Sequence, residues 1–296
     1  MSAPAIRCVA LTEPAPRPSP DSPGGVARPL VVLGPALGTG VIPLWSGVAR
    51  LLAGQADVLG WELPGHGGSP AAGEAFTLAE LARGVLSAVD RVLERDLDTG
   101  EPATGRKTEP SFVYAGCSVG GAVGLQLLVD APRRVSAASI VAGAPRLGEP
   151  GAWHERAELV AAAGTPTQVI GSAQLWFAPS FIERDAAAGT GIATGLLHAL
   201  QDTDRHGYAQ VCEALARFDL RQRLGEIRVP VLGIAGAADA AVPPERVRAW
   251  TERVPTAGYR EIPDAAHLVP AEQPEAVAEQ IRALIRDPST RPGGQT

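Results

Sequence analysis

Ser111-Phe112-Val113-Tyr114-Ala115-Gly116-Cys117-Ser118-Val119-Gly120-Gly121-Ala122-Val123-Gly124-Leu125-Gln126-Leu127-Leu128-Val129 is the stretch from which the rest of the chain is read. Phe112–Ala115 is a short β-favouring run, and Ala122–Val129 is apolar enough to be a buried helix. Between them Gly116-Cys117-Ser118-Val119-Gly120 forms a Gly-x-Ser-x-Gly. A strand that turns this sharply into a helix holds its apex serine in strained backbone angles, with the hydroxyl pointing out of the sheet. Glycines flank the turn because a Cβ would clash there. The helix that follows offers unpaired N–H groups and the positive end of its dipole to an anion forming beside the hydroxyl. With 34 glycines in 296 residues the bare pattern arises easily by chance. The competing reading is a glycine-rich turn whose serine only caps the helix. Context favours the nucleophile: an apolar strand before, a small-residue helix after, and one match in the chain.

Working outward, the composition narrows the class. At 45% hydrophobic and 4% aromatic the chain can build a large core, mostly of Ala, Val and Leu. A formal net charge of −6 leaves no basic footprint for nucleic acid. No run is long and apolar enough for a membrane span, and the first residues lack the basic-then-apolar pattern of a secretory signal. Cys8, Cys117 and Cys212 show neither CxxC nor metal spacing and suit a reducing compartment, so a cytoplasmic protein is expected. Cys117, next to the serine, reads as a small buried elbow residue rather than a reactive thiol.

Along the chain, Ile6–Leu11 fits an edge strand, and the proline-rich Thr12–Pro29 fits a flexible surface segment. Leu30–Leu33, Asp57–Leu59, Val135–Ala142, Val229–Ala235 and Tyr259–Ile262 read as further strands. Pro43–Leu52, the stretch from Thr77, Pro244–Val254 and Pro274–Ile285 read as the helices between them. From Arg146 to about Leu220 this alternation stops in favour of helix, with Trp153, Trp176, Phe177 and Phe181 grouped inside. The expected architecture is α/β: a mostly parallel central sheet with helices on both faces and an inserted helical cap. The expected organisation is an N-terminal segment over 1–29 and a core over 30–146 with 221–290. An exposed loop falls at 98–110, the cap at 147–220 and a disordered tail at 291–296.

A serine nucleophile needs a base within hydrogen-bond reach and a carboxylate to orient that base. His267, in Pro263-Asp264-Ala265-Ala266-His267-Leu268, follows the last strand and so sits at the same sheet edge as Ser118. The acid is expected after the preceding strand, where Gly236-Ala237-Ala238-Asp239 offers Asp239. Asp264 is the rival, three residues from His267 and poorly placed to orient its ring. The order Ser118, Asp239, His267 matches a known catalytic arrangement of α/β sheets. Two donors must meet the oxyanion. Val119 N–H is one; in the loop after Leu30–Leu33, Leu37 N–H is the other, since Pro35 has no N–H to give.

These residues carry a specific resemblance. Leu37-Gly38-Thr39 with Trp45, Pro64-Gly65-His66-Gly67-Gly68-Ser69 and Gly116–Gly121 resemble the α/β-hydrolase superfamily. Ala144-Pro145-Arg146-Leu147-Gly148 with Trp153 and Arg156, Trp176-Phe177-Ala178-Pro179, and Gly207-Tyr208 with Cys212-Glu213-Ala214-Leu215 resemble the 3-oxoadipate enol-lactonases within it. The likeness runs from about Leu30 to Ile285. Departures are Pro35 and Ala36 in place of a polar pair, Glu62 in place of Asp, and Leu175 where Arg often precedes the Trp-Phe. The resemblance implies a serine hydrolase acting on an enol-lactone or similar small carboxylic ester, with no cofactor and no metal. Trp153, Arg146, Arg156 and Trp176 are the expected substrate-binding residues, an arginine meeting the carboxylate of an anionic substrate. The rival readings are an arylesterase, thioesterase or cofactor-free perhydrolase, and a non-catalytic ligand-binding protein on the same scaffold.

Overall fold

The structure, a computed structural model, describes residues 3–13, 28–95 and 110–286. Most of the proline-rich segment, the 98–110 loop apart from Pro110, and the C-terminal tail therefore lie outside the described residues. Among the described residues seven strands form one sheet: β1 (Cys8–Ala10), β2 (Leu30–Gly34), β3 (Asp57–Trp61), β4 (Phe112–Cys117), β5 (Val135–Val141), β6 (Val231–Gly236) and β7 (Ala257–Ile262). Their order is β1-β3-β2-β4-β5-β6-β7. Only the β1–β3 pair is antiparallel. β4 is buried at every position, as a strand covered on both faces must be.

Helices α1 (Val41–Leu52), α2 (Leu78–Arg95) and α3 (Val119–Asp130) connect the first strands. Helix α2 starts where Thr77 and Glu80 close a reciprocal capping box: Thr77 N–H donates to Glu80 Oε2 at 2.8 Å, and Glu80 N–H to Thr77 Oγ1 at 3.2 Å. The bond from Thr77 N–H, helped by the Thr77 hydroxyl donating to the same oxygen at 2.9 Å, holds the Glu80 carboxyl below the usual carboxylate range. α3 begins three residues earlier than the apolar run alone indicates, because the elbow glycines themselves are helical.

Between β5 and β6 there is no strand. Five helices fill the gap: α4 (Pro150–Ala163), α5 (Val169–Trp176), α6 (Pro179–Ala188), α7 (Ile192–Asp202) and α8 (Arg205–Ala216). Local chemistry sets their ends. Pro150 and Pro179 open α4 and α6, Gly189 closes α6 in the left-handed region, and Asp204 caps α8 by accepting from His206 N–H and Gly207 N–H. The α/β alternation then resumes through α9 (Pro244–Thr251), α10 (Val269–Glu272) and α11 (Pro274–Arg286). The insertion is stitched to loops beyond the C-terminal ends of the strands. Asp204 N–H donates to Gly65 O at 2.9 Å, and Leu268 N–H to Trp176 O at 3.1 Å. That is the edge at which parallel sheets place their ligands.

Candidate active site

Ser118 lies between β4 and α3 at φ 55° and ψ −113°, a backbone conformation that L-residues rarely adopt. The turn is tight: a Cβ on Gly116 would collide with Gly120 O, and one on Gly120 would lie 2.6 Å from Pro35 O. Although Ser118 occupies the N-cap position of α3, its side chain makes no cap hydrogen bond, which removes the reading of a merely capping serine. It is partly open to solvent between buried neighbours. Burial pushes the Cys117 thiol well above its ordinary pKa, with Asp239 and Glu272 adding to the shift, so it is kept neutral beside the elbow.

His267 and Asp239 are both buried, and His267 Nδ1 lies 2.9 Å from Asp239 Oδ2. The other carboxylate oxygen, Oδ1, accepts Ala241 N–H at 2.8 Å and Val242 N–H at 3.0 Å. Asp239 is thus a turn aspartate and a histidine partner at once, one oxygen for each task. These donors lock the carboxylate so that its free edge faces the imidazole. The loop carrying His267 lies against the elbow: Cys117 Sγ–H donates to His267 O at 3.5 Å. Asp264 is exposed, in the left-handed region at φ 52°, and its carbonyl is taken by Gln273 Nε2.

In the loop after β2 most donors are committed, and Leu37 N–H and Gly40 N–H are left over among the described residues. Ala36 N–H is taken by Thr39 Oγ1, Gly38 N–H by His66 Nε2 and Thr39 N–H by Ala36 O. Leu37 N–H has no acceptor among the described residues. At the elbow, Ser118 N–H goes to Val141 O and Gly120 N–H to Pro35 O, and Val119 N–H is likewise uncommitted. The Gly120–Pro35 bond, at 2.9 Å, ties the two donor-bearing turns together.

His66 is a residue whose role sequence reasoning missed, although it stood in the quoted Pro64–Ser69 motif. Its Nδ1 faces Pro64 O at 2.9 Å, and its Nε2 accepts from Gly38 at 3.0 Å, which assigns the proton to Nδ1. Full burial drives its pKa down to about 4, against the smaller opposing pull of Pro64 O and Asp204, so the ring is neutral. Glu62, which replaces the commoner Asp, accepts Gly68 N–H and helps shape the same loop.

The expected substrate residues separate into two groups. Trp176 is buried, and Trp176, Leu200 and Tyr208 all crowd Gly38. Tyr208 stacks on His66 at 6.1 Å, and burial pushes its hydroxyl pKa up against the pull of the nearby Arg156 charge; the Arg156 guanidinium lies 5.0 Å from the centre of the Trp153 ring. Trp153 and Arg156, three apart on α4, do share a face, and Trp153 Nε1–H is held by Leu147 O at 2.6 Å. Arg146 belongs elsewhere. It pairs with Glu149 at 2.6 Å in a surface groove of about 220 Å³ that also holds Arg221, Arg246 and Arg253. Leu200 carries no sequence signal of its own beyond helical periodicity.

Among the described residues no group of three or more His, Cys, Asp or Glu is arranged to hold a metal ion. Nor is any described helix long and apolar enough to cross a membrane. The three cysteines are free thiols.

The chain resembles known proteins over most of its length. The chain is 28% identical over 263 residues to 3-oxoadipate enol-lactonase 2 of Acinetobacter baylyi, covering 89% of this chain and 91% of that protein. The enol-lactonase from Burkholderia xenovorans LB400 superposes with a TM-score of 0.78 at 25% identity, covering 95% of this chain and 96% of that one. A hydrolase from Pseudomonas aeruginosa PA01 gives a TM-score of 0.77 at 26% identity over 95% of this chain and 93% of that one. Residues 31–280 match the profile of the alpha/beta hydrolase family, to which this chain belongs.

Proposed function

We propose that this carboxylic ester hydrolase works through Ser118, His267 and Asp239 and opens a small enol-lactone or similar ester carrying an anionic group. The observation that carries the reading is the buried His267 Nδ1–Asp239 Oδ2 bond on a loop held against the Ser118 elbow. In this mechanism Ser118 Oγ attacks the acyl carbon while His267 Nε2 takes its proton. Asp239 stabilises the imidazolium through Nδ1–H. Leu37 and Val119 N–H groups meet the oxyanion at the start of α3. Collapse of the tetrahedral adduct breaks the ring C–O bond, and the enolate leaves while still tethered to the acyl group, taking its proton from His267 and tautomerising to a ketone. Water, deprotonated by His267, then attacks the acyl-enzyme and frees Ser118.

The five-helix insertion acts as the cap that reads the substrate. Arg156, close to the Tyr208 ring that stacks on His66, is the better carboxylate clamp, because Arg146 is already paired with Glu149 in an outer groove. The kinship with enol-lactonases of Acinetobacter and Burkholderia supports the substrate class. A fluorophosphonate probe should label Ser118, and turnover against enol-lactones, neutral aryl esters and thioesters should favour the acidic lactone. A preference for neutral esters would sink the lactone reading and leave the hydrolase standing. Failure to label or to turn over any ester would favour a non-catalytic binder.

A further inference from the structure

Helix α10 ends in an acid that the catalytic scheme does not use. Glu272 is 4% exposed, and it closes the apolar run Leu268-Val269-Pro270-Ala271. Its two oxygens serve two different parts of the molecule. Oε1 accepts Ala266 N–H at 2.9 Å, from the residue just before His267. Oε2 accepts Ala178 N–H at 2.7 Å, from the N-cap of α6 in the helical insertion. The residue just after His267 is tied to the same segment, since Leu268 N–H donates to Trp176 O at 3.1 Å. His267 is therefore flanked on both sides by bonds that lead to the Trp176–Ala178 turn.

We infer that Glu272 is a positioning residue, a buried carboxylate that joins the His267 loop to the cap and sets where the catalytic base stands. The inference rests on the proposed role of His267. Both bonds need acceptors, and the ionised carboxylate offers a strong one at each oxygen; protonation leaves the hydroxyl oxygen a weaker acceptor and adds a proton that needs its own partner. A buried carboxylate is also a costly way to hold two amides, which points to a task beyond packing.

The charged and titratable groups around it are few. Asp239 and His267 bear on Glu272 directly, and the Cys117 thiol lies close enough for Glu272 to raise its pKa. Of the helices packed on α10, α1 brings only Arg50 in its last turn, and α11 brings Glu275 in its first. Helix α5, which ends at Trp176, has no charged residue. Burial raises the Glu272 carboxyl to about 7, against the pull of its two amide donors and His267 and with a small push from Asp239. The tie is therefore made above that pH and loosened below it.

Two measurements test this. In the wild-type protein the amide resonances of Ala178 and Ala266 should titrate together with one midpoint near 7, and both should lose that titration in Glu272→Gln. Independent titrations, or none, overturn the tie, and the wild-type half of this readout needs neither turnover nor a folded variant. With p-nitrophenyl acetate, Glu272→Gln should lower kcat by about 10–100-fold at pH 8, a loss typical of a misplaced catalytic group. The acid limb of log kcat/KM should be steeper in the wild type, where Glu272 adds its own proton loss, than in the variant. An unchanged kcat with an unchanged slope overturns the positioning role, even if the melting temperature drops. A wild-type protein that hydrolysed no ester would overturn the proposed function instead, and the amide titration would still decide whether the tie exists.

Discussion

Two histidine loops meet at the active edge of the sheet, and they differ in one partner. His66 turns Nδ1 to a backbone carbonyl, Pro64 O, whereas His267 turns Nδ1 to a carboxylate, Asp239 Oδ2. Both rings are buried. A carbonyl can orient an imidazole but cannot balance a positive charge in a dry site; a carboxylate can do both. So the first loop is built around a permanently neutral ring that accepts Gly38 N–H and leaves Leu37 N–H free. The second holds a ring whose partner could balance the charge the proposed mechanism gives it. In the proposed mechanism one histidine shapes the place where charge appears, and the other moves the proton.

The largest expected effect falls on the second loop. Ser118→Ala or His267→Ala should each lower kcat by about 10⁴–10⁶, with the double variant scarcely worse, because the groups act as one unit. Steady-state kinetics on an aryl ester measures it, and additive losses would break the unit apart.

Next comes the carboxylate that distinguishes the loops. Asp239→Asn should cost about 10⁴ in kcat by upsetting the tautomer and removing the counter-charge. Asp264→Asn should cost nothing measurable, since that side chain is exposed and only its main chain is used. The reverse pattern would move the acid to Asp264.

These two loops were not equally legible in the sequence. Ser118, Asp239 and His267 could be placed because chemistry demands those residue types at the ends of particular strands, and strands show as apolar runs. The strands and the helical stretch between β5 and β6 followed from the same alternation, with ends misjudged by a few residues where glycines and prolines blur the pattern; the order of the strands in the sheet did not. His66 was visible only as part of a resemblance. Its function depends on a backbone N–H 28 residues away, and no periodicity encodes such a contact. Glu272 carried a faint local signal, an acid closing an apolar run, but its two partners lie 6 and 94 residues away. Arg146 and Arg156 looked alike in sequence, and only packing separated the surface pair with Glu149 from the Tyr208 contact.

That Tyr208 contact puts Arg156 on the His66 side of the comparison, where it should affect binding rather than chemistry. Arg156→Ala is expected to raise KM for an acidic lactone by about 10–100-fold, equivalent to roughly 1.5–3 kcal/mol for a charge-assisted bond. A neutral aryl ester should be nearly unaffected. Equal losses on both substrates would make Arg156 a structural residue, holding Tyr208 and Trp153 and reading no charge.

The smallest effect is thermodynamic and asks whether His66 really stays neutral. Its folded pKa, about 4, lies below the ordinary histidine value of 6.5. Between those two values the unfolded chain binds a proton that the native ring refuses, so this group makes stability rise with pH across the window. Its contribution is complete above about pH 6.5 and is lost as pH falls towards 4. Glu272 works in the opposite sense, because its native pKa of about 7 lies above the usual 4.5, so stability from that group falls as pH rises through the same range. The wild-type stability curve alone therefore mixes two opposed slopes, and a substitution is needed to separate them. His66→Gln keeps an oxygen that can accept Gly38 N–H but has no titrating group. By linkage, the stability advantage of the wild type over this variant should shrink by about 2 kcal/mol between pH 7.5 and pH 5. Urea unfolding of both proteins at the two pH values measures the gap. A gap that stayed constant would mean His66 can take its proton inside the fold, and the contrast between the two histidine loops would no longer rest on which of them can carry charge.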